Sequence, residues 1–183
     1  MDRLVFGHAS APTQAPDLLS GRVRQLVLYT DTFVIHGSLQ TRARRLTDAL
    51  NSADEPFFVM EDVAFEAHEA EATVDRAGYA QINLATVLFA HEPGGAVEAL
   101  PELRTVKVTE RALVSLPPFR IIGNIHVLPE RSLRDALREL IGRFVPVTDA
   151  TYWSDELGIP RTTVPMLAFN HERSQILAPY LSE

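Results

Sequence analysis

The chain has 183 residues, 46% of them hydrophobic and 22% charged, the balance of an ordinary soluble globular protein. A net charge of −7 argues against general affinity for a nucleic-acid backbone. The absence of cysteine excludes disulfides, thiolate metal centres and cysteine nucleophiles.

Residues 1–20, with Ala-Ser-Ala-Pro-Thr-Gln-Ala-Pro at their centre, read as a flexible arm. Val23 to Tyr29 is rich in β-formers and predicts a strand, followed by a Thr30-Asp31-Thr32 turn. Phe33 to Gln40 alternates as a second strand. Leu46, Ala49, Leu50 and Ala53 have the spacing of one buried helical stripe, which Asp54-Glu55-Pro56 ends. Strands are expected over Phe57–Glu66 and Gln81–Ala90, with an acidic loop from His68 to Gly78 between them. Ala96 to Leu100 is expected to add a short strand.

The order then returns. Thr105–Ser115 and Phe119–Val127 read as strands around a Leu116-Pro117-Pro118 turn. A helix is expected from Leu133 to about Ile141, opened by a Ser132/Asp135 capping box and stopped by a left-handed Gly142. Phe144–Tyr152, Thr162–Asn170 and Ser174–Pro179 are the remaining predicted strands.

This return is visible in the residues. Phe33-Val34-Ile35-His36-Gly37-Ser38-Leu39 recurs as Phe119-Arg120-Ile121-Ile122-Gly123-Asn124-Ile125, and Leu46-Thr47-Asp48-Ala49-Leu50 as Leu133-Arg134-Asp135-Ala136-Leu137. Phe57 and Asp62 recur as Phe144 and Asp149, and Phe89-Ala90-His91-Glu92 as Phe169-Asn170-His171-Glu172. The expected fold is α+β and mostly β. It is a tandem repeat of a small antiparallel half-barrel, each strand-strand-helix-strand-strand with room for a fifth strand. The expected divisions are an arm over 1–20 and β-rich repeats over 21–100 and 101–183. Repeats of roughly 70–80 residues lie near the lower limit for an independent core, so the two should pack on each other or on a second chain. Mid-strand Gly37 and Gly123 suit the bend of a curved barrel. The alternative is one sheet continued through both halves, with the two helices on one side.

Tyr29-Thr30, Ile35-His36-Gly37, Arg45-Leu46-Thr47-Asp48-Ala49-Leu50-Asn51, Phe57 and Asp62 together resemble an uncharacterised bacterial domain. Its members carry a Tyr-Thr turn, an Ile-x-Gly strand and an Arg-Leu-Ser-Asp-x-Leu-Asn helix. The resemblance covers residues 22–92. Residues of the second half depart from it, with Ser132 in place of the Arg and Arg138 in place of the Asn. It implies a fold and no activity. The bent barrel is also similar in outline to Sm-like and SH3-like barrels, an analogy of shape that carries no function.

Chemical signatures are sparse. The chain holds no G-x-G-x-x-G, no phosphate-binding G-x-x-x-x-G-K-[ST], no H-E-x-x-H and no G-x-S-x-G. His91-Glu92 and His171-Glu172, read as equivalent turns, could hold a divalent metal if brought together, or could simply cap hairpins in water. His36 and His126 lie on the polar face of matching strands, out of phase by three residues. Asp62 and Asp149 could act as an acid–base pair, but the simpler reading has each receiving backbone N–H groups at a bulge. Asp48 and Asp135 stand four residues after Arg44 and Arg131, a weak helix pairing.

All but one of the 17 basic residues are arginine, the exception being Lys107. Arg42, Arg44 and Arg45 have partial counterparts in Arg131, Arg134, Arg138 and Arg143. Facing one way, they would make an anion-binding patch; otherwise they are a solvated helix face. Tyr152 and Trp153 form an apolar pair that suits contact with a partner or packing between the repeats.

No catalytic set converges and the repeated residues are packing residues. The leading expectation is therefore a non-enzymatic binding or scaffold module that contacts another protein or its own copy, with no cofactor. The alternatives are Sm-like nucleic-acid or nucleotide binding through the arginine-bearing helices, and a metal-dependent hydrolase at the His-Glu turns. No apolar run is long enough for a membrane span, and the start lacks a signal peptide's basic head, so a cytoplasmic location is expected.

Overall fold

The computed structural model describes residues 21–52, 56–69, 73–95, 107–130, 132–138 and 142–180. The expected arm over 1–20 and the expected strand over Ala96–Leu100 lie outside them. The fold is mostly β, and among the described residues no helix is long and apolar enough to cross a membrane.

The N-terminal half contributes β1 (Arg22–Thr30), β2 (Phe33–Thr41), α1 (Leu46–Asn51), β3 (Phe57–Ala67), β4 (Asp75–Asn83) and β5 (Val87–His91). The C-terminal half contributes β6 (Val108–Leu116), β7 (Phe119–Val127), α2 (Leu133–Arg138), β8 (Phe144–Ser154), β9 (Ile159–Asn170), a 3-10 turn (His171–Arg173) and β10 (Ile176–Pro179). Two expectations need correcting. Gln81–Ala90 is not one strand: Leu84-Ala85-Thr86 turns the chain, where Asn83 Oδ1 accepts the Ala85 N–H at 2.9 Å. The expected acidic loop is shorter than read, because β4 already begins at Asp75.

All ten strands form one antiparallel sheet, in the order β10-β6-β7-β8-β9-β5-β1-β2-β3-β4. The sheet is open and no closed barrel forms, which corrects the barrel expectation; the sheet runs through both halves. The reason lies in β5. It pairs with β1 on one side and β9 on the other, with Phe89 opposite Tyr29 and Phe169. Both its edges are therefore paired, and both its faces are covered: Leu88 and Phe89 enter one core, Val87 and Ala90 the other, and Val-Leu-Phe-Ala-His is buried throughout.

β1 is its counterpart. Leu26 and Leu28 point into one core, with Ile35, Leu39, Leu46, Leu50 and Met60. Val27 and Tyr29 point into the other, with Phe119, Ile121, Val147 and Tyr152. The alternation of a strand's side chains thus divides two cores across one strand.

Each half is bent at the glycine the sequence singles out. Opposite Gly37 the register skips, so that Asp62 and Val63 face one residue. Opposite Gly123 it skips at Asp149 and Ala150. These are β-bulges, and Asp62 and Asp149 adopt φ of 50° and 47°, a left-handed conformation Asp tolerates better than most residues. The aspartates therefore serve the bend. Asp149 accepts the Asn124 side-chain amide at 3.0 Å rather than a backbone N–H.

The helices are single short segments. Leu46 and Leu50 of α1 enter the core, and Ala53 lies outside the described residues. At α2, Ser132 Oγ accepts the Asp135 N–H at 3.2 Å, as the capping box requires, and Gly142 has φ of 88°. Residues 139–141, where the helix is expected to continue, lie outside the described residues.

Asn51 ends α1 and ties the halves together. Its Nδ2 donates to the Phe144 carbonyl at 2.8 Å, and its Oδ1 accepts the Phe144 N–H at 2.8 Å. One amide thereby satisfies both polar groups of the first residue of β8. Replacing Asn51 by Ala leaves both unmet and should cost about 1–3 kcal/mol in denaturant unfolding, with the slope unchanged.

A methyl added at Gly123 would sit 2.3 Å from Val147 Cγ1 and 3.0 Å from the Thr148 carbonyl. Gly123→Ala should therefore destabilise by about 1–3 kcal/mol. Gly37→Ala should cost less, because its nearest contact, at 2.9 Å, is the flexible end of Met60. Equal losses for the two variants would contradict this packing.

Candidate functional site

Where the halves meet, β1, β5, β7 and β8 bring five rings together. Tyr29 stacks on Phe89 with centroids 4.4 Å apart, and Phe119 stands edge-on to both, at 5.4 and 5.1 Å. The Tyr29 and Tyr152 hydroxyls share a hydrogen bond of 2.8 Å inside this cluster. Burial, then that hydrogen bond, pushes the Tyr29 phenol far above its ordinary range, so it stays protonated. One hydroxyl donates and the other accepts, so a single bond joins β1 of one half to β8 of the other.

His91 closes the cluster, 5.9 Å from Tyr152 and 6.1 Å from Tyr29 between ring centroids. It is buried, and neither ring nitrogen has a partner among the described residues. Burial lowers its pKa. The Glu92 backbone opposes this in part, and the charge of His36 adds to the depression.

The two His-Glu pairs do not occupy equivalent turns, which corrects the reading of the sequence. His91 ends β5, whereas His171 opens the 3-10 turn after β9. The register explains the false match. Asn83 and Asn170 stand at the same place, opposite Phe57 and Phe144, so residues 171–173 correspond to the turn at 84–86. The carboxylates are also occupied: Glu92 pairs with buried Arg24, and Glu172 with Arg143 at 3.0 Å. Arg24 further donates to the Ala43 and Arg44 carbonyls, pinning the segment before α1. Among the described residues no three His, Asp or Glu side chains converge as a metal site.

Tyr152 and Trp153 are both buried, which removes them as a surface for an outside partner. Tyr152 belongs to the junction cluster, and Trp153 is covered by the Arg161 guanidinium at 4.4 Å. Arg42, Arg44, Arg45, Arg134 and Arg138 are exposed; Arg131 lies outside the described residues. Of this group Arg143 is committed to Glu172. His126 donates to or accepts from Thr148 Oγ1 at 2.8 Å, on β7 and β8, and His36 lies on β2, so the two histidines form no joint site. Burial, then Lys107, lowers the His126 pKa, against the pull of Asp149.

One open depression of about 310 Å³ lies over β2, β3 and β4, lined by His36, Ala64, Phe65, Glu66, Val74 and Arg76. It mixes one carboxylate, Glu66, with two basic side chains, His36 and Arg76, and apolar walls. The more distinctive surfaces are the two ends of the sheet. Among the described residues nothing pairs with the outer side of β4 or of β10. Their stretches Tyr79-Ala80-Gln81-Ile82 and Ile176-Leu177-Ala178 carry no charge, and Tyr79 and Ile176 are exposed. The sequence leads one to expect exposed strand edges in each half but does not name β4 and β10, because strand order is not legible in a linear pattern.

No protein-family model, curated protein or solved structure matches the chain.

The buried imidazole sets a pH dependence. An unfolded His91 takes up a proton near pH 6.5, whereas the folded form does so only at lower pH. The unfolded state then binds more protons, so stability should fall as pH drops below about 6.5. His91→Phe should reduce this acid-side loss in denaturant titrations at successive pH values, leaving the contribution of His126, which has the same sign. An unchanged pH profile in the variant would contradict the assignment.

Proposed function

We propose that this protein is a non-enzymatic scaffold module, built by duplication of one β-rich unit, that works through protein–protein contacts along the edges of its sheet. The observation that carries this is the pair of outer strands, β4 and β10, whose stretches 79–82 and 176–178 are uncharged and each present an exposed large side chain, Tyr79 and Ile176. An open edge is a row of unmet N–H and C=O groups ready to pair with another chain. Proteins that avoid such pairing place charge or proline there; in these strands charge is confined to Asp75 and Arg76 at the start of β4 and proline to Pro179 at the end of β10, and residues 79–82 and 176–178 carry neither.

The duplication is supported by strand order. β5-β1-β2-β3-β4 and β10-β6-β7-β8-β9 are the same sequence of neighbours, and the bulges fall at the same place in each. The polar groups favour the same functional reading. Tyr29 and Tyr152 satisfy each other, and Glu92 and Glu172 are held by arginines, so these groups serve cohesion.

A photo-crosslinking residue placed at Tyr79 or Ile176 tests this in cells of the source species. Protein adducts are expected from both edges and not from the exposed turn residue Glu156. Adducts from neither edge would sink the scaffold reading.

A further inference from the structure

The internal junction shows what belongs on the two free edges. Within the chain β5 is followed by β9, and by strand order these correspond to β10 and β4. The sheet thus ends at β10 on the type of strand that, inside it, receives β9, and at β4 on the type of strand that β5 receives. Resting on the scaffold reading, we propose that the partner is a second copy of this chain. β10 of one copy pairs antiparallel with β4 of the next, head to tail, in the register by which β5 and β9 are already joined.

The register follows from the pairings. Tyr29 faces Phe89 and Ser115 faces Ile176, so Phe89 and Ile176 hold the same place. Phe89 faces Phe169 across the internal join, one residue before Asn170. The residue before Asn83 is Ile82. The join between copies therefore sets Ile176 opposite Ile82, Leu177 opposite Gln81 and Ala178 opposite Ala80.

Exposure singles out the same surfaces. Phe57 is 39% exposed, whereas Phe144, in its place in the other half, is 1% exposed in the core across the junction. Phe33 is 37% exposed, whereas Phe119 is 1% exposed against Tyr29 and Phe89. Ile176 is 57% exposed and Phe89 is fully buried. Tyr79 is 75% exposed, and its counterpart Met166 packs on the core of the opposite half. The exposed aromatic side chains Phe33, Phe57 and Tyr79, together with Ile176, are thus ones whose counterparts the internal join covers. Covering them removes apolar area from water on both partners.

A polar feature agrees. Asn170 Oδ1 accepts the Glu172 N–H at 3.1 Å, while its Nδ2 crosses the join to the Val87 carbonyl at 3.0 Å. Asn83 Oδ1 makes the same local bond to Ala85, and among the described residues its Nδ2 has no acceptor. In the assembly that donor meets a carbonyl in the segment leading into β10 of the neighbouring copy. The contact uses two different surfaces, so it closes into a ring when its rotation divides a full turn and otherwise propagates as a filament.

The natural absence of cysteine makes the test direct. The full chain is purified as wild type, as a Gln81→Cys/Leu177→Cys double variant, as each single-cysteine variant, and as Tyr79→Asp and Ile176→Lys. Light scattering should give wild type a mass of several chains. Oxidation of the double variant should give a ladder of covalent multimers, where each single variant gives dimers at most. Tyr79→Asp and Ile176→Lys should each return the mass to one chain with an unchanged circular dichroism spectrum. A monomeric wild type overturns the proposal, as does an assembly that survives both edge substitutions. A single-cysteine variant that crosslinks as fully as the double one also overturns it, because the contact is then symmetric. Photo-adducts formed at the edges with a different protein, from a chain that is itself monomeric, overturn self-assembly and leave the scaffold reading standing. No edge contact of any kind overturns both.

Discussion

The structure depends on two strands that are buried on both faces. β1 sends Leu26 and Leu28 into one core and Val27 and Tyr29 into the other, and β5 lies between β1 and β9 with every residue covered. Neither core is complete without side chains from the other half: Phe144 and Ala168 enter the first, Tyr29 and Phe89 the second. Halves of this size bury too small a fraction of their surface to be comfortable alone, and sharing a central pair of strands relieves that limit.

Polar chemistry at this junction follows from the burial. The only economical way to keep a tyrosine hydroxyl there is to give it another, which is what Tyr29 and Tyr152 do. Asn51 performs the same office for the backbone of Phe144, and Arg24 with Glu92 for the segment before α1. His91 is the exception: a polar ring held in the cluster without a partner among the described residues, at a cost that grows as it is asked to take a proton. These groups look like chemistry in a linear sequence and act as fasteners in space. The arrangement that joins the halves also leaves each end of the sheet with a strand of the kind that was satisfied in the middle. Under the proposed self-assembly, cohesion inside the chain and interaction outside it are one geometry used in two places.

Much of the local structure was legible. The hairpins around Thr30-Asp31-Thr32 and Pro117-Pro118, the Ser132 cap, the left-handed Gly142 and the bends at Gly37 and Gly123 all follow from residue types with a narrow range of backbone behaviour. Errors arose where similarity of letters stood in for register. Phe89-Ala90-His91-Glu92 and Phe169-Asn170-His171-Glu172 look alike, yet one is a central strand and the other runs from a strand end into a turn. The match that counts is Asn83 with Asn170, which a single shared letter could not advertise. Tyr152 and Trp153 allow two readings in the sequence, partner contact or packing between the repeats; the structure packs Tyr152 against the neighbouring half and covers Trp153 with Arg161.

The sequence by itself determined most of the elements, the two bends and the lack of cysteine chemistry, though not the division of β4 from β5, because periodicity, glycine and capping residues act within a few positions along the chain. The tertiary structure decided which strands are neighbours, and therefore that the sheet stays open, that β5 sits at its centre and that β4 and β10 are its edges. Strand pairing is a relation between residues far apart in the chain, set by which apolar faces can be buried together. No local pattern carries that information.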